Sequence, residues 1–157
     1  MMTLCCKVLN ALKGKTLATA ESCTGGGIGA ALTEVSGSSA VFKGGIISYC
    51  NEVKQAILGV PADMLDSVGA VSAPVAKAMA EGVRKRLAVD VAVSVTGLAG
   101  PGGDEFGNPV GTVFVGYADM NRTVVRQFLF GGDRASVRRQ AIIAALELVL
   151  DINSAEK

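Results

Sequence analysis

Short apolar runs alternate with helically spaced ones along this chain, and glycines mark most of the breaks between them. Leu4 to Leu12 carries its apolar residues at helical spacing and stops at Gly14. Thr16 to Ala20 reads as a short strand, and Thr24 to Val35 as a helix closed by the break Gly37-Ser38-Ser39. Phe42 to Tyr49 is the next strand. Asn51 is placed to cap a short helix running to Leu58, Gly59 stops it, and Pro61 opens another helical turn. Ser72 caps a helix from Pro74 to Leu87, on which Val75, Met79 and Val83 share a face. Val89 to Val95 is a β-branched run of the kind covered on both faces of a sheet. The glycine-rich stretch Thr96 to Gly103 then leads to two strands, Val110 to Ala118 and Thr123 to Phe130, which turn near Asn121. Asp133 caps a last helix from Arg134 to Asp151.

Helices between buried strands predict an α/β fold: a single three-layer α/β/α domain over residues 1–157, without linker, low-complexity tract or internal repeat. The closing strand pair makes the sheet mixed, mostly parallel rather than wholly so. In such sheets, sites gather at the carboxyl ends of strands, where loops meet helix N-termini. Four polar segments fall there: Glu21–Gly27, Ser48–Lys54, Thr96–Gly103 and Gly131–Arg138. Their convergence on one pocket is the main structural expectation.

Composition narrows the function classes. The 157 residues are 50% hydrophobic but only 4% aromatic, so the core is built from Val, Ile, Leu and Ala. A net charge of +1 gives no electrostatic footprint for nucleic acid or an anionic membrane, and few aromatics are present to stack on bases. No apolar segment approaches the ~20 residues that span a bilayer. The start of the chain lacks the basic stretch and long apolar run of a signal peptide. Cys5, Cys6, Cys23 and Cys50 form no CxxC pair, so a reducing, cytoplasmic setting without disulfides is expected. With no histidine to complete a ligand set, no metal site is expected. So hydrophobic a chain also suits pairing of apolar surface in a homo-oligomer.

The missing histidine constrains any hydrolytic chemistry. Ser22 lies in Ala20-Glu21-Ser22-Cys23-Thr24-Gly25-Gly26-Gly27, at a strand-to-helix turn. A serine there ordinarily caps the helix, but the same turn can present a nucleophile. Without imidazole, the plausible base is a lysine. Three glycines in a row weaken a helix start by about 1 kcal/mol each relative to alanine. That cost makes sense where backbone approaches a ligand or its N–H groups hold an anion, which marks Thr24, Gly25 and Gly26. Cys23 competes for the nucleophile role, since a helix N-terminus lowers a thiol pKa, but it too lacks a histidine partner and ranks below Ser22.

Lys54 is the base candidate. A place in a first helical turn and burial would both press it toward the neutral amine, whereas a solvated surface lysine is the everyday alternative. Lys43 is a second option, beside the pliable Gly44-Gly45. Tyr49 could relay a proton, stack on a flat substrate, or simply pack with its hydroxyl at the rim. Arg134 and Arg138 share a face at a helix N-terminus, which makes either a phosphate site or a solvated basic face. Thr96 and Gly97 offer a hydroxyl and an approachable backbone, or an ordinary turn. Gly25-x-Gly27-x-x-Ala30 matches a dinucleotide fingerprint, but the next strand ends in Ile47-Ser48-Tyr49, without the acid that holds a ribose. Neither a Walker A sequence nor paired catalytic carboxylates are present, and no cofactor is expected.

Five blocks, in order, closely resemble the CinA C-terminal domain family: Ala20 to Gly26, Ser48 to Lys54, Gly69 to Val75, Thr96 to Gly103, and Pro109-Val110-Gly111-Thr112-Val113. Gly132-Asp133-Arg134 to Arg138 continues the resemblance, which spans nearly the whole chain. It implies a nicotinamide-nucleotide amidohydrolase, converting nicotinamide mononucleotide to nicotinic acid mononucleotide and ammonia in pyridine-nucleotide salvage. It further implies a serine nucleophile on Ser22, a lysine base on Lys54 and the tyrosine of that block on Tyr49. Backbone N–H groups near Thr24 to Gly26 would hold the oxyanion, and Arg134 and Arg138 the substrate phosphate. Asn108 stands where related sequences often carry lysine, and Cys50 where a small polar residue is usual. The resemblance leaves out the additional N-terminal domain of longer CinA proteins. Its alternative is a non-catalytic nucleotide-binding or regulatory module, linked to competence and DNA damage, that keeps the arginines and glycines.

Overall fold

Residues 1–154 are described by a computed structural model. The elements run α1 (Met2–Ala11), β1 (Leu17–Glu21), α2 (Gly27–Thr33), β2 (Phe42–Ile47), α3 (Asn51–Ala56), α4 (Ala62–Val68), α5 (Ala73–Leu87), β3 (Val91–Gly97), β4 (Thr112–Ala118), β5 (Thr123–Leu129) and α6 (Arg134–Ser154). A single 3-10 turn, Ser38–Ala40, precedes β2. The strands form one sheet in the order β2-β1-β3-β4-β5. β2, β1 and β3 are parallel, β4 runs antiparallel to β3, and β5 antiparallel to β4, so all but β4 point the same way. This is the expected mixed sheet in a three-layer α/β/α domain.

Strand alternation sorts the core onto two faces. Leu17, Val91, Val93, Val95, Val113, Val115 and Tyr117 pack with α1, α2 and α6. Ala18, Ala20 and Ala92 pack with α5, α4 and the α3–α4 connection through Val75, Met79, Val83, Leu65, Leu58 and Val60. Small residues on that second face let α5 come close. A Cβ on Gly116 would stand 2.5 Å from Ser94 Oγ and 2.6 Å from the Ala76 carbonyl, so glycine is required there.

Several boundaries differ from the sequence reading, each for a local reason. α2 begins at Gly27 rather than Thr24, because Gly25 and Gly26 adopt left-handed φ of +58° and +96° and spend those residues on the turn. β3 extends through Thr96 and Gly97, which pair with Phe114 and Val113, so the glycine-rich loop starts later than expected. β2 stops at Ile47 rather than Tyr49. Asn51 is the first residue of α3 rather than its cap; extended Cys50 takes the cap position, without a side-chain bond. Ser72 does cap α5, accepting from Val75 N–H at 3.4 Å. Asp133 likewise accepts from Ser136 N–H at 2.9 Å at the start of α6. No helix of the described residues is long and apolar enough to cross a membrane.

Candidate functional site

β1, β2 and β3 end side by side, and the residues leaving them line a cleft of 460 Å³. Ser22, Cys23, Tyr49, Lys54, Thr96, Gly97 and Arg134 all border it, with Leu98 to Gly102 along one wall. A larger cavity of 760 Å³ lies between the α3–α4 connection and α5 and contains none of the candidate residues. The chemistry-bearing groups therefore single out the smaller one.

Ser22 is the first residue beyond β1, and its N–H still donates to the Val95 carbonyl at 3.0 Å. The chain then turns sharply: Gly25 N–H donates to Ser22 O at 3.1 Å and Gly27 N–H to Thr24 O at 3.0 Å. Gly25 N–H is thus committed to the turn, whereas neither Cys23 nor Thr24 N–H donates to a carbonyl among the described residues. Ser22 does not cap α2, since Gly26 occupies the cap position. The capping oxygens come from Glu21, a residue that the sequence reading passed over. Its Oε1 accepts from Thr24 Oγ1 at 2.7 Å and Ile28 N–H at 2.9 Å, and its Oε2 from Thr19 Oγ1 at 3.1 Å and Gly29 N–H at 3.2 Å. The N-terminus of α2 is therefore taken by the protein's own carboxylate and is closed to a ligand anion.

Lys54 is buried, 1% exposed, not a solvated surface lysine. Its Nζ donates to the Ser48 carbonyl at 2.7 Å and reaches Ser22 Oγ at 3.0 Å. Burial pushes the ammonium below the ordinary lysine range, opposed by the nearby Cys50 and Cys23. A buried amine with a weakened hold on its proton, one hydrogen bond from a hydroxyl, can take that hydroxyl's proton. Lys43 is directed elsewhere, donating to Ser39 O at 2.6 Å. Cys23 is pushed up to about 11 by burial, so its thiol stays protonated near neutral pH. The helix N-terminus expected to acidify it starts only at Gly27, and desolvation outweighs the lowering by its own N–H, Arg138 and Lys54.

The remaining candidates divide into those facing the cleft and those behind the turn. Arg134 donates from Nη1 to Gly100 O at 2.8 Å and from Nη2 to the Tyr49 hydroxyl at 3.1 Å, joining two walls of the cleft. Tyr49 is 63% exposed at the rim, not packed in the core. Arg138, four residues on, turns the other way: its Nε and Nη2 donate to Cys23 O at 3.0 Å and Thr24 O at 3.2 Å. It braces the turn from behind. Thr24, Gly25 and Gly26 also shape that turn without lining the cleft. Thr96 tethers the segment before α5 by donating to Ala70 O at 2.8 Å. Gly97 is explained by packing, since a Cβ there would lie 2.7 Å from Val113 Cγ2. Asn108 staples its own loop, donating to Asp104 at 2.8 Å and Val71 O at 3.1 Å. The Arg134 guanidinium lines the cleft and no carboxylate among the described residues does, which favours an anionic ligand.

Comparison with known proteins covers nearly all of the described residues. The model of the CinA C-terminal domain matches residues 2–152. A CinA-like protein of Synechococcus sp. (strain CC9902) is 51% identical over 149 residues, 92% of this chain and 36% of that protein. One from Geobacter sulfurreducens is 48% identical over 135 residues, 86% of this chain and 33% of that protein. The chain thus spans about a third of the length of these curated relatives. Among solved structures, a competence-damaged protein (CinA) superfamily protein from Klebsiella pneumoniae superposes with TM-score 0.95 at 32% identity, over 98% of both chains. The competence/damage inducible protein CihA from Agrobacterium tumefaciens gives TM-score 0.93 at 38% identity, over 97% of this chain and 94% of that one.

Proposed function

The chain belongs to the CinA C-terminal domain family, and on that footing we propose that it hydrolyses the carboxamide of nicotinamide mononucleotide to give nicotinic acid mononucleotide and ammonia. The observation that carries this reading is the buried Lys54 amine, 3.0 Å from Ser22 Oγ in a cleft at the strand ends. A module that only binds nucleotide has no use for a desolvated lysine against a serine.

The geometry supports the following course of reaction. Neutral Lys54 takes the Ser22 proton as Oγ attacks the carboxamide carbon. The oxyanion is met by the Cys23 N–H, which follows Ser22 at the cleft and donates to no carbonyl among the described residues. Lys54 returns the proton to the departing nitrogen, the C–N bond breaks, and ammonia leaves an acyl-Ser22. Lys54 then deprotonates a water, whose attack releases the carboxylic acid and restores the serine hydroxyl. Arg134, at the rim, is suited to the substrate phosphate, while Arg138 keeps the turn in shape. Tyr49 holds the Arg134 guanidinium and offers a ring to the flat pyridine. Incubation of the purified protein with nicotinamide mononucleotide is expected to yield ammonia and nicotinic acid mononucleotide in equal amounts. A folded protein that binds the nucleotide without releasing either would instead be the regulatory binding module.

A further inference from the structure

We infer that Glu21 is a positioning residue for the nucleophile and its base, an inference that rests on the serine–lysine reading above. Its side chain is 2% exposed, and its four partners among the described residues are two hydroxyls and two backbone N–H groups, none of them a cation. A buried carboxylate with no counter-charge is an expensive way to end a helix, because a neutral serine or asparagine at the cap position would satisfy the same N–H groups. The carboxylate belongs instead to the residue directly before Ser22. From there it grips Thr24, two residues after the serine, and Ile28 and Gly29, at the start of α2.

The backbone of the same residue reaches the base. The Glu21 carbonyl accepts from Ser48 N–H at 2.8 Å, and the Ser48 carbonyl accepts from Lys54 Nζ at 2.7 Å. Glu21 therefore fixes the turn that aims Ser22 through its side chain and the strand end that aims Lys54 through its main chain. Displacements of about 1 Å in such a pair cost on the order of a hundredfold in rate. Only the side-chain link can be removed by substitution. Glu21→Gln keeps the shape, but its amide nitrogen faces groups that are themselves donors.

The test compares wild type, E21Q and S22A for turnover of nicotinamide mononucleotide, for acylation of Ser22 by a fluorophosphonate probe located by peptide mass, and for melting temperature. Folded E21Q is expected to keep KM within about threefold, while kcat and the labelling rate of Ser22 both fall roughly 10- to 100-fold. A folded E21Q with kcat and labelling rate within about twofold of wild type would overturn the inference, whatever its melting temperature, because a purely structural cap would lower stability alone. Should E21Q not fold, Thr24→Val removes one of the four bonds and leaves the charge; both rates are then expected to drop about three- to tenfold, and wild-type rates overturn the inference. Wild type that labels at Ser22 without releasing ammonia defeats the proposed substrate, and the labelling rates still decide the role of Glu21. Wild type that does neither defeats the serine–lysine reading and this inference with it.

Discussion

Arg134 offers a way to measure what the cleft recognises. Its guanidinium is exposed and already spans Gly100 O and the Tyr49 hydroxyl. A hydrogen bond from such a group to a phosphate contributes about 1.5–3 kcal/mol, and solvent exposure places it at the lower end. At about 1.4 kcal/mol per decade, that corresponds to roughly 10- to 50-fold in kcat/KM. Arg134→Gln also loses the two internal bonds, which changes the cleft for every substrate alike. Pairing the variant with a second substrate, the riboside that lacks the 5′-phosphate, cancels that shared cost. Wild type should prefer the phosphorylated substrate by roughly 10- to 50-fold more than R134Q does, with the difference carried mainly by KM. Kinetics of both proteins on both substrates, measured as ammonia release, give the four numbers needed. If R134Q loses the same factor on nucleotide and riboside, Arg134 does not touch the phosphate.

Three further predictions concern titration and reactivity. Because burial lowers the Lys54 pKa, the unfolded chain binds more protons than the folded one between the lowered value and the ordinary one; stability and kcat/KM should both rise with pH across that window. Melting temperatures and kinetics over a pH series check this, and Lys54→Met should abolish turnover and flatten the rise in stability; wild-type activity that falls as pH climbs toward the ordinary lysine value would contradict it. Cys50 is exposed and Cys23 is buried with its thiol at about 11, so limiting maleimide at neutral pH should modify Cys50 first. Cys23→Ala should keep kcat within about tenfold of wild type, and a loss as large as that of S22A would move the nucleophile to the thiol.

Much of the fold could be read along the chain because its stops are local. Gly59 ends the segment before Pro61 with φ of +71°, and Ser72 and Asp133 make the capping bonds their positions suggest. β3 and β4 between them are apolar enough to be buried on both faces. What escaped the sequence depends on tertiary register. Lys54 sits among Asn51, Glu52 and Gln55, a polar setting that reads as surface, and is buried because its Nζ finds the Ser48 carbonyl at the end of β2. Glu21 is separated from the helix start it caps by a turn of two left-handed glycines, so its contacts at Thr24, Ile28 and Gly29 match no simple capping spacing. Arg134 and Arg138 occupy one helix face as the spacing requires. Only the direction of each guanidinium separates the one lining the cleft from the one bracing the turn.

The mechanism stands on Ser22 as the attacking group, and the most direct measurement is ammonia release from nicotinamide mononucleotide by wild type and by Ser22→Ala, with melting temperatures confirming that both are folded. A serine nucleophile activated by Lys54 requires release by wild type and a loss of at least about 10³-fold in S22A. Comparable release by both proteins would contradict it.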